Sequence, residues 1–259
     1  SAASDVYKRQ VFSRLFPLAL AGVYTISANL AYLAPLLNGN LLNAVAFPLY
    51  SRMLENQDSL EEPVRKSKLI LLSVAGLITA GLASCGSTFI HLAYDSRYEM
   101  AAVYLPILAA GYWFVVVENI YSAALLSKGR ANWIAAINAT KVIMFCLLII
   151  PAMKVGGILG AVVATSLADA SRLVVAIFGA RIIGLRNRGP ELLYTAYWII
   201  VAGAAHLVGQ YLGNSLGIHL AWVLLLQVMM VTLLFLPALF YALRIVRRSL
   251  HGESSGNGR

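Results

Sequence analysis

The chain has 259 residues, 60% of them hydrophobic and only 12% charged, and a mean hydropathy of +0.76. Soluble domains carry about a quarter charged residues, so this composition excludes a soluble globular enzyme and points to an integral membrane protein. The formal charge of +9 is no footprint of nucleic-acid binding, because the basic residues lie mostly in a few short loops, where they set topology.

The first ten residues, SAASDVYKRQ, read like the in-frame translation of a transposase-type sequencing adapter and are set aside from the fold. Val11 is then not expected to lie near a natural N-terminus. The first apolar span covers Gly22–Tyr50, with Pro35 and Gly39 permitting a kink in its middle. RMLENQDSLEEPVRKSK (52–68) is expected to be a polar loop. Further spans follow at Leu69–Leu92, Val103–Leu126, Asn132–Pro151 and Gly157–Ala180, the last two separated by a turn at Lys154–Gly157. The loop RIIGLRNRGPE leads to a span at Leu192–Leu212. GNSLG makes a tight turn, and Ile218–Leu243 is the last span. The tail RIVRRSLHGESSGNGR is basic and then Gly/Ser-rich, a composition expected to be disordered. Runs of this length suffice to cross the hydrocarbon core as helices. None alternates with period two, as β-barrel strands would. The expected fold is all-α: a polytopic membrane bundle of about seven transmembrane helices.

Loop charges give the orientation. Alternate loops hold Arg52, Arg65, Lys66 and Lys68; Lys128 and Arg130; Arg181, Arg186 and Arg188; and Arg244, Arg247 and Arg248. The loops between them hold only Arg97, Lys154 and no base. The basic set is cytoplasmic by the positive-inside rule, which places the C-terminus in the cytoplasm.

Four charges lie inside apolar spans: Glu118, Lys141, Asp169 and Arg172. Segments 19–50, 69–94 and 192–243 contain no Asp, Glu, Lys or Arg. Charge at bilayer depth is costly, so these four are the default functional candidates. Glu118 lies 11 residues before Gly129 and Lys141 lies 12 after it; Asp169 and Arg172 lie 12 and 9 before Arg181. At 1.5 Å rise per residue all four sit roughly 14–18 Å from the cytoplasmic side. Asn38, Asn40 and Asn43 lie 14, 12 and 9 residues before Arg52 and reach the same level. Glu118 and Lys141 face each other across a hairpin and are expected to pair. Asp169 and Arg172 stand at i and i+3 and are expected to pair with each other. A purely structural role for both pairs competes with a role in a hydrated cavity. Gly156, Gly160, Ala164 and Ala168 form a small-residue stripe for close helix packing, and its continuation points Arg172 into the bundle. His91, His206, His219, Gln210 and Gln227 are read as core or interfacial polar groups. Cys85 and Cys146 show no metal-ligand spacing, and neither a metal nor another cofactor is expected.

Several stretches resemble a known family. AGVYTISANLAYLAPLLNGNLLNAVAFPLYSRML is similar to a pattern in which a Gly-x-Tyr-x-x-Ala helix ends in Phe-Pro-x-x-Ser-Arg. YDSRYEMAAVYLPIL, LLSKGRANW and VGGILGAVVATSLA resemble further stretches of the same family. It is the polysaccharide (O-antigen type) flippases of the multidrug/oligosaccharidyl-lipid/polysaccharide exporter superfamily, and the likeness covers about residues 20–245. The resemblance implies a fourteen-helix protein of two six-helix lobes and a terminal hairpin, of which this sequence is the C-terminal portion. Residues 11–190 would be a partial C-terminal lobe, 191–245 the terminal hairpin and 246–259 a cytoplasmic tail. It implies a non-enzyme that flips undecaprenyl-diphosphate-linked oligosaccharide across the bacterial cytoplasmic membrane by alternating access. Its partners would be that lipid-linked oligosaccharide, membrane lipids and the polysaccharide polymerase machinery, with no nucleic acid. Lys141 and Arg172, with Asn38, Asn40 and Asn43, would line the substrate cavity; Glu118 and Asp169 would serve as coupling or counter-ion groups. With half of the cavity wall outside the sequence, the charged layer is expected to be open on one side. A lipid II flippase or multidrug/cation antiporter of the same superfamily remains an alternative. So does a membrane glycosyltransferase, polymerase or ligase, although the short outward loop YDSRYEM lacks the large extracytoplasmic domain those enzymes carry.

Overall fold

The computed structural model describes residues 18–43, 50, 61–185, 189–215 and 217–256. The adapter-like segment 1–10 lies outside the described residues. So do residues 51–60 of the expected polar loop.

Every element is helical, and no strand occurs among the described residues. Lipid imposes this, because backbone N–H and C=O groups in hydrocarbon must be satisfied within the segment. The helices are α1 (Leu18–Ala31), α2 (Leu33–Leu41), α3 (Glu61–Ala93), α4 (Glu99–Ser127), α5 (Ala131–Ile182), α6 (Gly189–Gln210) and α7 (Leu220–Gly256). A 3₁₀ turn at Ser96–Tyr98 joins α3 to α4, and a π turn at Tyr211–Ser215 ends α6. Among the described residues six helices are long and apolar enough to cross a membrane, with α1 and α2 forming one of them. The protein is a multi-pass membrane protein.

The expected count of about seven crossings is reached because α5 contains two. Its 52 residues exceed any single crossing. At Gly157 the backbone leaves the helical region with φ 56° and ψ −132°, a left-handed excursion that suits glycine. Beyond it the chain doubles back so closely that a Cβ on Gly160 would strike the Ala152 carbonyl. The two arms, 131–156 and 158–182, are each about 25 residues, enough for one crossing.

The kink expected in the first span falls at Tyr32, between α1 and α2, and two other sequence expectations are corrected. Pro35 has no N–H to donate to the Ala31 carbonyl one turn earlier, so the ladder is interrupted there, and Gly39 stays helical. The polar stretch before Leu69 is helical from Glu61 onward, and Pro63 falls in the first turn, where a missing N–H costs nothing. The basic tail continues α7 as far as Gly256; Arg and Leu propagate a helix already started, so disorder does not begin at residue 246.

Helix α4 is the hub. Pro106 removes one ladder bond and frees the Ala102 carbonyl, and Ser87 of α3 donates to it at 2.6 Å. Nearby, Ser27 of α1 donates to the Ala101 carbonyl at 3.3 Å, and Ser166 of α5 donates to the Ile107 carbonyl at 3.1 Å. Serines from three helices thus converge on the proline-loosened turn, the arrangement by which lipid-embedded helices tolerate proline.

The α6–α7 hairpin is sewn along α3. Trp198 donates its indole N–H to Thr79 at 2.9 Å, and its ring stacks on Trp113 with centroids 5.8 Å apart. Ser73 bonds the Tyr194 hydroxyl at 2.9 Å. Gln227 of α7 accepts from Thr88 at 2.9 Å and donates to the carbonyls of Ala205 and Ser84. Gln227 is therefore the satisfied core amide read from the sequence.

Of the small-residue stripe, Ala164 and Ala168 are fully buried, whereas Gly156 has open space around it. The seam begins at Gly160, after the bend. Its tightest approach to α4 is at Gly111, where a Cβ would lie 2.8 Å from the Ser166 Cβ and 2.9 Å from its Cα. Gly111→Val should therefore lower stability by about 1–3 kcal/mol through overpacking against backbone, read as a drop in the thermal midpoint of the purified protein. An unchanged midpoint would show that α4 and α5 are not held together there.

Candidate functional site

The charges in the apolar spans come together on α4 and the two arms of α5. Glu118 is fully buried, and Lys141, Asp169 and Arg172 are at most 7% exposed. Because α5 folds back at Gly157, Lys141 on its first arm meets Asp169 on its second, with Nζ to Oδ1 at 2.8 Å. Arg172 turns to α4, with Nη2 to Glu118 Oε2 at 2.8 Å. Ser122, one turn after Glu118, donates to Glu118 Oε1.

The expected partners are corrected. Glu118 does not pair with Lys141, nor Asp169 with Arg172; the pairs are crossed. Positions i and i+3 are offset by about 60° around a helix axis. That offset lets the second arm of α5 offer Asp169 to the first arm and Arg172 to α4. The crossed pairs neutralise all four charges and tie three segments together, whereas an internal Asp169–Arg172 pair would tie none.

The expectation that the layer is open on one side is corrected for the four charges, while Asn40 and Asn43 of the same layer are exposed. The four charged side chains are enclosed by one another and by the α4–α5 seam. Asn38 is 2% exposed, and neither its amide nitrogen nor its oxygen has a hydrogen-bond partner among the described residues. No hydrogen bond or ion pair joins these asparagines to the four charges among the described residues. Arg172 Nε is likewise buried with no acceptor among them. Each unpaired buried group of this kind is costly, so the layer holds donor and acceptor capacity that its own partners do not use.

A second buried cluster was missed in the sequence. Lys68 of α3 pairs with Glu191 of α6, Tyr121 of α4 donates its hydroxyl to the same Glu191 Oε1, and the Lys68 ammonium lies 4.2 Å from the Tyr121 ring centroid. Lys68 is 3% exposed and Glu191 7%. Both had been assigned to polar loops. A signal existed: Lys68 and Glu191 each stand immediately before an apolar run, at Leu69 and Leu192, on helices expected to leave the same membrane face. Among the histidines, His206 sits 3.1 Å from Gln210 on an exposed face of α6.

The sequence is similar to the lipopolysaccharide biosynthesis protein WzxC of Escherichia coli (strain K12), with 25% identity over 151 residues. The match takes in 57% of this chain and 29% of WzxC, so it spans less than a third of that protein. No protein-family model matches the chain, and no solved structure matches it.

Proposed function

We propose that the chain is part of a transporter that moves lipid-linked oligosaccharide, of the undecaprenyl-diphosphate type, across the bacterial cytoplasmic membrane for cell-surface polysaccharide. The observation that carries the reading is the likeness to a lipopolysaccharide biosynthesis protein in a multi-pass chain whose spans bury four charges. An oligosaccharide head dragged through hydrocarbon would leave many polar groups unpaired. A water-filled cavity between helical lobes shelters the head while the lipid tail stays in the bilayer. Residues 11–190 belong to one lobe in this reading, 191–245 form a terminal hairpin, and the C-terminus faces the cytoplasm.

Arg172 and Lys141 are the cations that would hold the diphosphate by charge-assisted hydrogen bonds. Glu118 and Asp169 neutralise them when no substrate is bound. Asn40 and Asn43 would contact sugar hydroxyls from their exposed positions, and Asn38 would do so from its buried one.

The test is complementation of a strain whose chromosomal copy is deleted, using the intact protein. Arg172→Ala with Lys141→Ala should abolish surface polysaccharide while the protein still accumulates in the membrane. Normal polysaccharide from that variant would remove both residues from the site. Asn40→Ala with Asn43→Ala should reduce polysaccharide several-fold without altering the thermal midpoint, since both side chains are exposed.

A further inference from the structure

We propose that the four buried charges exchange partners, and that the first arm of α5 is the element that moves. The functional consequence rests on the transporter reading above; the exchange itself stands on the geometry. Two neutral pairings of the same layer are available. One is observed, Lys141 with Asp169 and Arg172 with Glu118. The other joins Lys141 to Glu118 and Arg172 to Asp169. All four side chains are buried in the same layer, and Asp169 and Arg172 stand one turn apart on the same arm.

The observed pairing leaves a vacancy that the other would fill. Arg172 Nε is buried and has no acceptor among the described residues, and Asp169, three residues back, is the carboxylate best placed to supply one. Neither pairing leaves a net charge in the layer, so passing from one to the other avoids the cost of isolating a charge in a dry interior.

Both arms expose large apolar side chains, Leu167, Val174, Phe178 and Ile182 on the second among them, but the first arm has far fewer buried residues and is the more lightly held. On the second arm, Ala161, Ala164, Ala168 and Ala176 are buried, and Gly111 and Ser166 lock that arm to α4. On the first arm only Ile137, Lys141 and Ile149 are buried, while Val142, Ile143, Leu147 and Ile150 are more than half exposed. The arms meet at Gly157, whose backbone has positive φ and where an added Cβ would meet no neighbouring atom. Such a glycine is a hinge that absorbs rotation without a clash. Swinging the first arm about Gly157 would carry Lys141 from Asp169 to Glu118 and release Asp169 to Arg172. The layer would thus have two discrete arrangements of the kind that alternating access requires.

Two charge-neutral double variants of the intact protein in lipid nanodiscs test this. Lys141→Met with Asp169→Asn removes one observed pair and leaves the other whole. Glu118→Gln with Lys141→Met removes one member of each observed pair and leaves Asp169 and Arg172, which are partners only in the second arrangement. Exchange predicts thermal midpoints for the two variants within about 3 °C of each other. A fixed pairing predicts that the second variant melts lower by more than that, because Arg172 and Asp169 have both lost their observed salt-bridge partners; that result overturns the proposal. In the complementation strain both variants should lose surface polysaccharide, since each retains only one arrangement. Wild-type polysaccharide from the first variant would overturn the role of exchange in transport. Failure of the unmodified protein to complement would count against the transporter reading alone, and the midpoint comparison would still decide whether the charges exchange.

Discussion

Glu118→Leu should destabilise the protein by about 3–5 kcal/mol, and Glu118→Leu with Arg172→Leu should return most of that loss. The single substitution leaves the Arg172 guanidinium buried without its carboxylate, and breaking a buried pair from one side is what makes such pairs costly to disturb. Arginine stays protonated in proteins, and if Arg172 takes Asp169 instead, Lys141 becomes the buried cation that has lost its carboxylate. The converse variant, Arg172→Leu, should cost less, since a stranded carboxyl can neutralise itself by taking up a proton. The double variant replaces two charges with apolar groups of similar bulk, which in other buried pairs is neutral or stabilising. The measurement is thermal or denaturant unfolding of the purified protein, with the three variants ordered Glu118→Leu, Arg172→Leu, double. If both single variants unfold like the unmodified protein, the pair is not a buried charge pair.

Glu191→Leu should have a comparable effect in a different place. Glu191 accepts from both Lys68 and Tyr121, so its loss takes the carboxylate from a buried ammonium and a buried hydroxyl together. Lys68 retains its contact with the Tyr121 ring, but a cation–π contact of about 0.5–2 kcal/mol cannot replace a buried ion pair. The cost should again be about 3–5 kcal/mol. It should fall on the attachment of the α6–α7 hairpin, because α6 meets α3 and α4 through this cluster. Amide exchange over 191–200 is the direct readout. It should rise sharply in Glu191→Leu, while α4 and the second arm of α5, held by Gly111, Ser166 and Ile107, stay protected. A uniform rise along the chain would mean that the cluster supports the whole bundle and not the hairpin in particular.

The two clusters were not equally visible in the sequence. The four charges of α4 and α5 stand out because they interrupt long apolar runs, and counting residues from the loop turns places them at one depth. Lys68 and Glu191 do not stand out. Each adjoins other polar residues, and only the helical start of α3 at Glu61 and the approach of α6 bring them inside. The bend at Gly157 was legible as the turn Lys154–Gly157 between two apolar runs each long enough for one crossing. That its two arms are so unequally buried was not.

The sequence by itself determined the spans, their helical state and the level of the charges. Hydrocarbon leaves a polar backbone no alternative to internal hydrogen bonds, so length and hydropathy suffice for those. Only the tertiary structure decided who pairs with whom. Partner choice depends on how each helix is rotated about its axis and which helix lies beside it. The small residues and serine bonds of the seams set that rotation, and no periodicity within a single span encodes it. The sequence placed Glu118 opposite Lys141 and Asp169 beside Arg172; packing crossed them.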